Sequence, residues 1–158
     1  MQPLLEGVTP GVAASARVEV VTLAAERTFW EKATLLHAIY HGTLARPDKR
    51  VDSLSRHLYD LYRMWHRPEL RTRLLESPDI LQAVVRNKAV FFKEGKARYD
   101  LIESFVLNAV PHSDLRARLR DDYDAMESMF FPDSTVPTFD ELLTTLAEID
   151  TAVREWGE

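Results

Sequence analysis

Two residues of this sequence, Lys32 and Asp60, are placed to do chemistry. In the stretch Glu26 to His41, ERTFWEKATLLHAIYH, a wheel of about 100° per residue stacks Phe29, Ala33, Leu36 and Tyr40 into one apolar stripe, which Leu35 and Ile39 widen. Lys32 falls between Leu36 and Ile39, inside the edge of that stripe. A lysine there snorkels out along its alkyl stem, meets a carboxylate, or projects into a cleft that needs a cation. The second stretch, Leu54 to Trp65, LSRHLYDLYRMW, carries Leu54, Leu58, Leu61 and Trp65 on one stripe with Asp60 at its margin. Two consecutive helices thus each bring one opposite charge to the border of a buried face. A cation projecting from such a face suits a nucleotide triphosphate, where it neutralises charge developing in phosphoryl transfer. The alternative is an internal ion pair of Lys32 with Asp60 or Glu31.

Weaker candidates surround this pair. Arg56 stands one turn before Asp60, the spacing of an ordinary i,i+4 ion pair, and Arg27 and Arg63 are further cations for phosphate contact. Between Arg86 and Arg98 the bases Arg86, Lys88, Lys93, Lys96 and Arg98 face only Glu94 and are interleaved with Phe91, Phe92 and Tyr99. That composition fits a surface for RNA phosphates and a stacked base, or a solvated helix end with its aromatics in the core. His37 and His41 lie four apart, which lets two imidazoles reach one metal ion, but no third ligand follows at a recognisable spacing, so both read as boundary polar residues. No histidine has an arginine five positions before it, the arrangement some helical ribonuclease toxins use. Trp30, Trp65 and Trp156 read as core.

The elements that must position these residues are mostly helices. Residues 1–16 mix Pro, Gly and small residues without a period and read as a flexible lead-in. Residues 17–23, RVEVVTL, alternate and are rich in Val, so they are the one expected strand, an edge that needs sheet neighbours. A single helical domain over 17–158 then follows. Its first helix is expected from Ala25 to His41, poorly capped and ending at Gly42, and its second from Ser53 to Trp65, with Ser53 or Asp52 as cap. A short helix begins at Pro68, another runs from Ile80 to Phe92 and stops by Gly95, and an amphipathic segment covers Asp100 to Val110. Ser113 is the expected cap of a helix with Leu115, Leu119, Tyr123 and Met126 on its stripe. Thr138 and Glu141 make a capping box for the last helix. The fold class is mainly α, a helical bundle with one N-terminal β-strand.

The whole chain bounds the answer. Its 158 residues suffice for a core without covalent staples, and with no Cys they exclude disulfides, Cys-based zinc sites and a Cys nucleophile. A formal charge of −5 argues against a uniformly basic nucleic-acid binder, so attraction to RNA must come from a local patch. Charge is segregated, with acids gathered from Asp121 to Glu127 and from Asp140 to Asp150. No stretch approaches the roughly 20 apolar residues of a membrane span, so no membrane partner and a cytoplasmic location are expected.

ERTFWEK, then SRHLYDLYRM after a polar loop, and later NKAVFFKEGKARYD, together resemble the C-terminal half of the AbiEii/AbiGii family of toxin nucleotidyltransferases. The likeness begins near Arg17 and weakens after Pro111. It implies the helical domain of a nucleotidyltransferase-fold toxin, moving a nucleoside monophosphate from an NTP to tRNA or another acceptor. It also implies Mg2+ and NTP as ligands, an antitoxin as partner, Lys32 as active-site lysine and Asp60 as downstream acid. Family members hold their metal ions on a paired-aspartate motif upstream, after a Gly-Ser turn, and the chain contains neither. No metal-ligand set is therefore expected here, and the chain is expected to be inactive without an N-terminal nucleotidyltransferase domain. The other reading is a non-catalytic module that binds RNA or protein.

Overall fold

The computed structural model describes residues 22–91, 95–126, 129–130 and 135–158. Seven α-helices lie among the described residues: α1 Ala25–Ala45, α2 Ser55–Trp65, α3 Pro68–Leu75, α4 Pro78–Phe91, α5 Tyr99–Glu103, α6 Ser113–Asp124 and α7 Phe139–Glu155, with a 3-10 turn at Gly95–Ala97. No strand occurs among them. The lead-in over 1–16 and most of the strand expected over 17–23 lie outside the described residues. Thr22 and Leu23, the part that is described, are exposed irregular backbone leading into α1. The strand is therefore not borne out, and the described fold holds no sheet edge with which it could pair.

One apolar core takes side chains from all seven helices. Helix α1 runs through its middle and packs against α2, α3, α4 and the 3-10 turn, while α2 packs in turn on α3, α6 and α7. Phe29 meets Trp30 edge-on at 4.9 Å within α1, and two further aromatic contacts, Phe29 stacked on Trp65 at 5.9 Å and Trp30 against Trp156 at 5.6 Å, tie α1 to α2 and to the chain end. Fully burying such a side chain is worth about 1.5–3 kcal/mol, enough to fix the rotation of α1 about its axis. That rotation buries Phe29, Trp30, Ala33, Leu36 and His37 and leaves Leu35 and Tyr40 only partly covered.

Several helix ends depart from the sequence expectation, each for a local reason. Helix α1 continues through Gly42 to Ala45, because the glycine is an interior contact rather than a cap. A Cβ at Gly42 would lie 3.1 Å from the Lys49 Nζ, whose side chain crosses the helix there. Neither Asp52 nor Ser53 caps α2. The Asp122 carboxylate reaches across from α6 instead, accepting from the backbone N–H of Ser53 at 2.6 Å and of Ser55 at 2.8 Å, and from the Ser55 hydroxyl. Burial works to raise the pKa of Asp122, but these hydrogen bonds outweigh it and hold the carboxyl below its ordinary value.

The segment expected to be helical from Asp100 to Val110 is helical only through Glu103. Phe105 adopts a left-handed φ of 56°, and the following backbone is held by side chains. Asn108 N–H donates to His37 Nδ1 at 3.0 Å, and Ala109 N–H to Asp150 at 2.9 Å. Ser113 lies inside α6 rather than capping it, with His112 at the cap position. The capping box of Thr138 and Glu141 is formed as expected.

Candidate functional site

Helices α1 and α2 lie side by side, and their aromatic contacts bring Lys32 and Asp60 together. Lys32 Nζ donates to Asp60 Oδ2 at 2.8 Å. The lysine side chain is 22% exposed and the aspartate 43%, so the pair sits at the rim of the core with a solvent-facing side. His57, three residues before Asp60 and on the same face of α2, brings its Nδ1 to 3.5 Å from the same ammonium. Burial, then the neighbouring Lys32 cation, holds the His57 pKa below its ordinary 6.5. The sequence reading passed over His57, although its place one turn ahead of Asp60 was a signal that both side chains reach one point.

The remaining charges of this region come from α1 and α4. Glu31 does not pair with Lys32. Its carboxylate takes Arg27 at 3.5 Å and Lys88 at 3.6 Å, and its backbone carbonyl accepts from Lys88 Nζ at 2.8 Å. Lys88 is buried, and burial lowers its pKa against the pull of Glu31. A cavity of about 240 Å³ opens beside it, between Glu31, Lys49, Lys88 and Tyr99, with Leu35 and Ile39 as apolar walls. That is below the ~300–1,000 Å³ of usual ligand pockets. A wider groove of about 430 Å³ lies elsewhere, between α3 and α7, and no candidate residue lines it. Its polar groups satisfy one another: Trp65 Nε1 donates to Glu148 at 2.8 Å, and Arg71 lies over the Trp65 ring.

The other candidates are scattered. Arg56 is exposed and is not the partner of Asp60, while Arg63 is exposed and lies 6.0 Å over the Tyr59 ring. Of the basic run, Arg86 and Lys96 are exposed, Arg98 is exposed and forks onto Asp100, and Lys88 turns inward as described. Lys93 and Phe92 lie outside the described residues. Phe91 is 74% exposed at the end of α4 beside Val90 at 63%, and Tyr99 is half-buried. His37 is a fully buried tie rather than a ligand. Its Nδ1 accepts from Asn108, so the proton sits on Nε2 and is donated to the Arg98 carbonyl at 3.0 Å. Burial pushes its pKa down to about 4, against the hydrogen bond to Arg98. His41 Nε2 bonds Asn108 Oδ1 at 3.0 Å. Among the described residues no group of three or more His, Cys, Asp or Glu side chains could hold a metal ion. Among them, too, no helix is long and apolar enough to cross a membrane.

Two helices of the bundle thus hold a half-buried lysine against a carboxylate and an imidazole, a set that can offer a cation and a proton acceptor at one point. Residues 1–145 match the family described as nucleotidyl transferase AbiEii toxin, type IV TA system. The chain belongs to that family, whose toxin–antitoxin setting makes an antitoxin the partner to look for. No curated protein matches the chain, and no solved structure does.

Proposed function

We propose that the chain is the helical part of a toxin nucleotidyltransferase that transfers a nucleoside monophosphate from an NTP to tRNA or another acceptor. The 2.8 Å contact between Lys32 and Asp60, made by two helices at the rim of the core, is the observation that carries this reading. In such a transfer the acceptor oxygen bonds to the α-phosphorus, the bond to the bridging oxygen breaks, and pyrophosphate leaves with that electron pair. Lys32 meets the phosphate charge while it stays on Asp60 Oδ2, and the other carboxylate oxygen, Oδ1, accepts the acceptor's proton or orders the acceptor. Arg27, Arg56 and Arg63 are the further cations that the same two helices carry for phosphate contact.

Mg2+ would neutralise phosphate charge in this reaction, but the described residues do not fit a metal site of their own. In this reading the metal-holding aspartates belong to an N-terminal nucleotidyltransferase domain, and the chain alone is inactive. Incubating the 158-residue chain with labelled NTPs and tRNA should give no transfer above a Lys32→Ala control, and adding that domain should restore it. Transfer by the isolated wild-type chain above the control contradicts this division of labour.

A second reading draws on the exposed Val90 and Phe91 beside Arg86. An apolar patch of this kind next to basic residues suits a non-catalytic module that takes RNA or a protein partner. RNA binding that survives neutralisation of Arg86 and Lys96 removes the support for it.

A further inference from the structure

His57 has no part in the reading above, yet it faces the same ammonium as Asp60. A lysine ammonium has only donors, so the imidazole nitrogen 3.5 Å from it must be the unprotonated one, with the ring proton on Nε2. The charged groups that act on His57 come from three helices: Lys32 on α1, Arg56 and Asp60 on α2, and Lys88 on α4. Three cations against one carboxylate, added to burial, keep the ring neutral at physiological pH.

We propose that His57 is a positioning residue for Lys32. Together with Asp60 it engages two of the three N–H directions of the ammonium, so that the third points out of the helix pair toward a phosphate oxygen. The inference rests on the reading of Lys32 as a phosphate-binding group. Asp60 alone leaves the ammonium free to swing about a single contact, because a four-carbon stem does not fix its direction. Protonation of His57 sets an N–H against the ammonium and removes the second anchor, so nucleotide binding weakens as pH falls through the pKa of this histidine.

Two measurements test this. The first is the titration of the His57 ring by NMR in the chain itself and in Lys32→Met. Removing a cation from that distance should raise the His57 pKa by roughly 0.7, the effect of one charge near 4 Å in water. A pKa unmoved by Lys32→Met overturns the contact, whatever the activity. The second is KM for the NTP in the complete toxin. Asn places its amide oxygen near the position of Nδ1, whereas Gln mimics Nε2 and Leu mimics neither. His57→Asn should therefore stay within about threefold of wild type, while His57→Gln and His57→Leu raise KM about tenfold with kcat little changed, as for loss of a hydrogen bond to a charged group. Equal behaviour of the three variants overturns the positioning role. Wild-type kinetics in Lys32→Met would instead overturn the phosphate reading beneath it, and the ring titration tells the two failures apart.

Discussion

Asp150→Asn should change how the stability of this protein depends on pH, and the structure gives both sign and size. The Asp150 carboxylate accepts the backbone N–H groups of Ala109 and Val110, and burial nonetheless pushes its pKa from 3.8 up to about 7. A carboxyl with a raised pKa favours the folded state when protonated. Its contribution is absent above about pH 7, grows as pH falls, and is complete near pH 4. His37, which holds the neighbouring Asn108 N–H, runs the other way: its pKa falls from 6.5 to about 4, so its neutral folded form loses stability over that window as the unfolded chain takes up a proton.

Between pH 7.5 and 4.5 Asp150 runs over about 2.5 pKa units and His37 over about 2, so at about 1.4 kcal/mol per unit each effect is worth about 3 kcal/mol in that window, and in wild type they nearly cancel. Asn at position 150 keeps an acceptor for Ala109 but cannot titrate, which leaves the His37 effect uncompensated. Urea unfolding at pH 7.5 and 4.5, in both proteins, measures this. Wild type should gain on Asp150→Asn by about 3 kcal/mol on acidification, a shift of about 1 M or more in the relative midpoint for an m-value of 1–3 kcal/mol/M. Groups such as Asp122 titrate alike in both proteins and drop out of the difference. Parallel pH curves for the two proteins refute the reasoning, because they would mean that the carboxyl is already ionised at pH 4.5.

Three further outcomes are expected. Asp122→Ala removes the cap that α6 lends to α2 and should cost about 1–2 kcal/mol, read as a lower midpoint in thermal or urea unfolding; an unchanged midpoint would mean that water replaces the carboxylate. Thr138→Ala opens the capping box at the start of α7 and should cost about 1 kcal/mol by the same measurement. If RNA binds near α4, neutralising Arg86 and Lys96 should reduce the salt dependence of binding by about one counterion each, while Lys88→Met leaves it unchanged, since that ammonium is spent on Glu31. Equal slopes for all three substitutions would place Lys88 on the surface.

Much of the helical content was legible because amphipathic spacing survives into the fold: the stripes at Leu58, Leu61 and Trp65 and at Leu142, Leu146 and Ile149 are buried as read. The capping box at Thr138 was legible because both partners lie within four residues of each other. What failed was non-local. The cap of α2 comes from Asp122, 67 residues from the Ser55 amide it receives. The stretch after Glu103 is apolar enough for a helix, but its backbone is claimed by His37 and Asp150 from distant helices. Lys88 reads as one base in a basic run, and only its packing against α1 shows that it turns inward. Lys32 and Asp60 could be singled out by their places at stripe edges; that their side chains meet at 2.8 Å follows from the rotation set by Phe29, Trp30 and Trp65.

The most direct test of the central claim is transfer of label from an α-labelled NTP to tRNA by the chain joined to the proposed N-terminal nucleotidyltransferase domain, carrying Lys32→Met or Asp60→Asn, with helical content checked by circular dichroism. Loss of at least about 100-fold in each folded variant, the usual scale for an electrostatic or acid–base group, is the predicted result. Transfer at the wild-type rate in either variant would contradict the account and leave the pair a structural bridge between α1 and α2.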